Sequence, residues 1–112
     1  MVNFTVFESK GKECRILIKS NDTIEFVSRY CTCRSEAVSL IMKIRKNAQQ
    51  YDAYKIKKLE CGSWRFELID MAKNEILGQS ATEISLENLN RKINEMRVIV
   101  PSAKVQSETV NY

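Results

Sequence analysis

Two cysteines with a single residue between them, Cys31 and Cys33, are the first pair whose types and spacing could do chemistry. In an extended stretch alternate residues face the same way, so both sulfurs would reach one ion. A structural zinc site takes four ligands, usually from paired-cysteine knuckles. The other cysteines, Cys14 and Cys61, are isolated, and Cys14 falls at a core position of its own segment. Cysteine often packs as a small apolar group, so neither a metal nor a cofactor is expected. A redox role for Cys31 and Cys33 is the alternative, since neighbouring Arg29 and Arg34 favour thiolate.

Catalysis has little to work with. The chain contains no histidine, which removes the commonest general base and the usual partner of a nucleophilic Ser or Cys. Glu25 and Glu75 occupy like positions in two strand-like segments and are simplest as outward residues. No Gly-rich phosphate loop or dinucleotide fingerprint is present. No catalytic residues are assigned, and the expectation is a protein that is not an enzyme.

Lys43, Arg45, Lys46, Lys55, Lys57 and Lys58, with Tyr54 among them, have the composition of a single-strand nucleic-acid platform, where cations follow the backbone and rings stack on bases. The cluster is divided between a helix end and a strand, however. Basic residues complement a helix C-terminus, and lysines protect a sheet edge. A net charge of +4 falls short of a dense basic stripe.

The elements that position these groups repeat. At an offset of fifty, Phe4 meets Tyr54, Val6 meets Ile56, Arg15 meets Arg65, Ile16 meets Phe66 and Ile18 meets Leu68. Glu25 meets Glu75 and Thr32 meets Thr82; after a two-residue insertion, Ala37, Ile41 and Ile44 fall on Leu89, Ile93 and Met96. Phe4 and Val6 alternate, as do Cys14, Ile16 and Ile18, and so do their counterparts. Period two marks a strand with one face on a core. Turns are expected at Lys10-Gly11-Lys12 and Cys61-Gly62-Ser63, where Gly supplies positive φ. Third strands follow at about 24–29 and 75–79. Ser35 and Ser85 then read as N-caps of two helices, with Val38, Ile41, Ile44 and Ala48, and Leu86, Leu89, Ile93 and Met96, at helical spacing. Pro101 stops the second helix, and a short strand at 103–105 closes the chain. The expected fold is α+β, from two tandem β-β-β-α-β repeats at 1–52 and 53–107. Together they make one two-layer domain, an antiparallel-rich sheet with both helices on one face, followed by a flexible tail at 108–112.

The same phase puts Phe7, Arg15, Leu17, Val27, Leu59, Arg65, Ile69 and Leu77 on the helix-free sheet face, mixed with Lys19 and Glu67. An uncovered face is normally more polar, and contiguous exposed apolar area marks association. The chain therefore reads as a non-enzymatic interaction or structural module acting through this face on an unknown protein partner or on a second copy as a homodimer. The alternatives are internal cover of that face and weak, sequence-tolerant nucleic-acid binding at 43–58.

At 112 residues, with three Gly and one Pro, the chain fits one domain without long linkers. Met1-Val2-Asn3-Phe4 lacks the layout of a secretory signal. The apolar runs are far shorter than the roughly 20 residues that span a bilayer. A cytoplasmic location without membrane contact is expected.

The hairpin segment Trp-Arg-Phe-Glu-Leu at 64–68, a third strand, a Ser-led helix and Arg-Lys-Asn-Ala at 45–48 together resemble the YegP-like family of small tandem-repeat domains, over both copies to about Ser107. The chain departs from the family pattern in two ways. It has Asp22-Thr23 and Lys73-Asn74 where the pattern has Asn-Gly, and Cys14 where the pattern has an aromatic residue. The resemblance implies a two-layer fold of tandem β3-α-β units and carries no activity with it.

Overall fold

The computed structural model describes residues 2–8 and 13–109, with backbone alone at 7, 8 and 107–109. The alternating segments form β1 (Val2–Glu8), β2 (Cys14–Ser20) and β3 (Thr23–Ser28), then β4 (Tyr54–Lys58), β5 (Trp64–Asp70) and β6 (Glu75–Ser80). Helix α1 (Arg34–Ala48) follows β3, α2 (Leu86–Ile99) follows β6, and β7 (Lys104–Thr109) comes last. The strands join one mixed sheet in the order β4-β5-β6-β3-β2-β1-β7. Neighbours are antiparallel except β7, which runs parallel to β1 with Phe4 opposite Val105. The expected turn at Lys10-Gly11-Lys12 lies outside the described residues. Residues 108 and 109, expected in a tail, belong to β7; 110–112 lie outside the described residues.

Positive φ marks the tight turns. Asn21 and Asp22 sit at φ 50° and 71° between β2 and β3, and Asn74 at φ 56° enters β6; Asn and Asp tolerate this region better than other side chains.

Each third strand then carries a bulge. Ile18 pairs with Phe26 but Lys19 with Ile24, leaving Glu25 as the extra residue. Leu68 pairs with Gly78 but Ile69 with Ile76, leaving Leu77 extra. A bulge puts two residues against one and breaks the alternation. Leu77, expected on the helix-free face, is instead fully buried in the core for this reason. Glu25 and Leu77 hold the same place in the two bulges, whereas the offset of fifty set Glu25 against Glu75. Glu25 pairs with Lys92 of α2, while Glu75 is exposed at the start of β6. The β5–β6 turn is two residues longer than the β2–β3 turn, so the change of offset expected after the third strand falls ahead of it.

Phe4, Ile16, Ile18, Phe26, Phe66 and Leu68 from the strands share one hydrophobic cluster with Leu40 and Ile44 of α1 and Leu89 and Ile93 of α2. Each such buried side chain contributes roughly 1.5–3 kcal/mol. Phe66 stands at the centre, 6.3 Å from the Phe26 ring and edge-on to Tyr54 at 4.9 Å. Ser85 caps α2 by accepting from Asn88 N–H at 3.1 Å. α1 differs from expectation: Cys33 is its N-cap, without a side-chain bond to the helix's backbone N–H groups, and Ser35 lies inside the first turn. Val38 is exposed, and Ala37 and Leu40 take the inward positions. No helix among the described residues is long and apolar enough to cross a membrane.

Candidate interaction face

Strand pairing assembles the candidate surface directly. Gln106, Thr5, Leu17, Val27, Gln79, Glu67 and Lys55 are successive cross-strand partners and form one row across the sheet. Partners in register share a face, and this row alternates with Phe4, Ile18 and Phe26, so it faces away from the core cluster. Arg15 and Ile69 lie on the same face to one side of the row. Lys19, Ile24, Arg65 and Lys57 lie to the other.

The predicted apolar members are partly covered. Leu17 is only 8% exposed, Val27 and Ile69 are half-buried, and half-buried Leu59 lies in the β4–β5 loop. The Phe7 side chain is outside the described set. Ile24 and Ile76, 43% and 50% exposed, are the prominent apolar residues here.

The face also holds three arginines in an unusual state. Arg15, Arg29 and Arg65 each have a buried Nε with no hydrogen-bond partner among the described residues. A buried donor without an acceptor costs about 1–3 kcal/mol. Arg15 stacks on Tyr30, its guanidinium carbon 3.8 Å from the ring centre. Arg15 and Arg29 line a shallow groove of about 310 Å³ with Val27, Ile76 and Gln79, floored by Ser28 and Gly78. Glu67 is already engaged, at 2.8 Å from Lys57. A smaller cavity of about 40 Å³ lies beside Glu25, Lys92 and Met96; it has room for a few waters. Burial alone would lower the Lys92 pKa, but Glu25 and Glu83 outweigh it and raise it.

The basic cluster at 43–58 does not converge. Arg45 donates to the Pro101 and Ala103 carbonyls at 2.8 and 2.9 Å and stacks on Phe4, bolting α1 to the start of β7. Tyr54 is buried and donates to the Ala48 carbonyl at 2.6 Å, so its ring is unavailable for stacking on a base. Lys58 lies over the Trp64 ring. Lys43 and Lys46 are on α1, whereas Lys55 and Lys57 are on edge strand β4.

The thiols divide as well. Cys31 is buried, its Sγ 2.8 Å from that of Cys14, while Cys33 is exposed beside the Ser35 hydroxyl. Cys31 and Cys33 therefore do not point at one ion. Burial, reinforced by Cys14, pushes the Cys31 thiol up to about 12. Hydrogen bonds from Ser35 lower Cys33, and the Ser63 backbone N–H lowers Cys61. Thiolate is the reactive form. Iodoacetamide at mildly alkaline pH should therefore label Cys33 and Cys61 first, read as two early mass steps, and reach Cys14 and Cys31 only on unfolding. Early labelling of Cys31 would contradict its buried position.

Two solved structures share the fold. The E. coli protein yegP, of unknown function, superposes with a TM-score of 0.87 at 21% identity, covering 99% of this chain and 96% of its own. A UPF0339 protein from Shewanella oneidensis also gives 0.87, at 17% identity, covering 99% and 94%. At such identities the likeness establishes the fold, and it supports the YegP-like resemblance at that level. No protein-family profile matches the chain, and no curated protein does.

Of the surface, Arg15 and Arg65 were legible from strand phase. Ile76 was not, because the bulge at Leu77 reverses the phase on its side.

Proposed function

We propose that this protein is a non-catalytic interaction module of two like units, working through the sheet face turned away from both helices. The observation that carries this reading is the set of three arginine Nε–H groups buried on that face without acceptors among the described residues. A partner presenting acceptors there relieves a cost that the isolated protein bears.

Matching details in the two halves support the two-unit part. Ser28 accepts from Ile16 N–H and donates to the Arg29 carbonyl, and Ser80 does the same with Phe66 and Ala81. Cys14 bridges Cys31 as Trp64 bridges Glu83. Membership of both helices in one cluster supports their lying over one face. A cytoplasmic setting fits four free thiols.

The partner is unlike the protein itself. Face-to-face pairing of two copies would set Arg15, Arg29, Arg65 and nearby lysines against their own kind, with Glu67 already neutralised. Native mass spectrometry of the reduced protein should accordingly show a 13.0 kDa monomer. A peptide library panned on the wild type should yield binders that weaken about tenfold or more on the double variant Ile24→Asp, Ile76→Asp. Both positions are exposed enough to leave the fold intact. Binders that ignore the double variant would place the working surface elsewhere.

A further inference from the structure

Resting on that reading, we propose that the partner is an extended acidic segment of protein. Carboxylates near its two ends are held by Arg15 and Arg29 at one corner of the face and by Arg65 at the other, and a neutral, apolar stretch lies between them. Arg15 and Arg29 share one groove, and Tyr30 fixes the plane of the Arg15 guanidinium. The Nε–Nη edge of a guanidinium is a two-donor fork that matches a carboxylate. Turning that edge into the groove would give the orphaned Nε–H groups their acceptors.

Topology sets the length. Arg15 and Arg65 stand on opposite sides of the central row, three strand spacings across and four residues along. That diagonal is about 20 Å, the span of about six extended residues. Along it the segment crosses Val27 and Gln79. Lys57 is already closed on Glu67 beside the middle of the path, so it offers no free cation there, and the acids are held at the ligand's ends. Tyr30, already stacked on Arg15, is the one aromatic among the described side chains of this face. A run of bases would therefore find no stacking platform here.

The test uses a blocked octapeptide with two glutamates at each end around a Val-Ser-Val-Ser centre. Its glutamine counterpart and an eight-nucleotide oligothymidylate serve as comparisons. Binding is followed by the NMR signals of arginine Nε–H groups in the full-length protein. The glutamate peptide should saturably shift Arg15, Arg29 and Arg65. Arg97, whose Nε already donates to the Gln49 carbonyl, should stay in place. The glutamine peptide should bind about tenfold more weakly or worse. Arg15→Gln with Arg29→Gln should lose about as much while keeping the backbone spectrum, and Arg65→Lys, which keeps charge without the fork, should lose several-fold. Equal affinity for the glutamate and glutamine peptides, with shifts still on this face, would overturn the acidic ligand and leave the interaction surface standing. Tighter binding of the oligothymidylate would overturn it in favour of a nucleic acid. Shifts confined to residues off this face would overturn both the ligand and the surface.

Discussion

Gly78→Val is expected to cost about 3 kcal/mol or more, a large share of the roughly 5–15 kcal/mol that holds an ordinary domain together. Gly78 lies in β6 where the sheet crosses from β6 to β3, opposite Ser28. A Cβ there would stand 2.5 Å from both Phe26 Cζ and the Val27 carbonyl oxygen, and 2.7 Å from Ser28 Cα. The tip of the Phe26 ring has some freedom, although the ring is fully buried. The Val27 and Ser28 atoms are backbone of the neighbouring strand and have none without loss of the β3–β6 pairing. Gly62 makes the internal comparison. It sits at φ +90° with nothing within 4 Å of its missing Cβ, so Gly62→Ala should cost only the conformational strain, about 1 kcal/mol. Urea denaturation of the two variants separates these cases, and a Gly78→Val midpoint near wild type would mean that the strands are not this close. Function follows from the same contact, because Gly78 also floors the groove beside Arg15 and Arg29.

Legibility in the sequence tracked how local each determinant is. β1, β2, β4 and β5 could be read because each buries one face, and period two survives in every one of them. The third strands defeated the same reading at one residue each. A bulge looks like an ordinary residue until the partner strand is known, so Leu77 and Ile76 exchanged faces and Glu25 acquired the wrong counterpart. The α1 cap was misplaced because Cys33 has the cap geometry without any capping chemistry. β7 was half legible: its pairing to β1 depends on register with a strand about a hundred residues away. Arg45 carried no warning, since its acceptors are main-chain carbonyls 56 and 58 residues further on. Arg29 was legible as a neighbour of the Cys31 thiol. Its place in a groove with Arg15 required the β3–β6 pairing that no local pattern encodes.

The second large loss is expected from Asn47→Leu, about 2–3 kcal/mol in chemical denaturation. Asn47 is buried at the end of α1 and serves three groups at once. Its amide nitrogen donates to the Lys43 carbonyl at 2.8 Å and, at 3.5 Å, to the Asp70 carboxyl; its oxygen accepts from Met71 N–H at 3.0 Å. Asp70, itself buried, also accepts from Ala72 N–H at 3.1 Å. Leucine has the same number of side-chain heavy atoms, branched at the same carbon, and a better helix propensity, so shape and helix formation argue that the change should be mild. The polar groups decide otherwise. Asp70 loses a partner at a buried site and Met71 N–H loses one in the part-buried turn, and that cost exceeds the few tenths of a kcal/mol gained from propensity. Asp70→Asn in the Asn47→Leu background distinguishes the causes. If the buried carboxyl is the main liability, the second substitution should recover part of the loss. If stability falls further by the full single-variant amount, the two residues act independently and Asn47 serves chiefly the turn. Either way the damage centres on the β5–β6 turn, which sets where β6 begins and so where Ile76 meets the arginine groove.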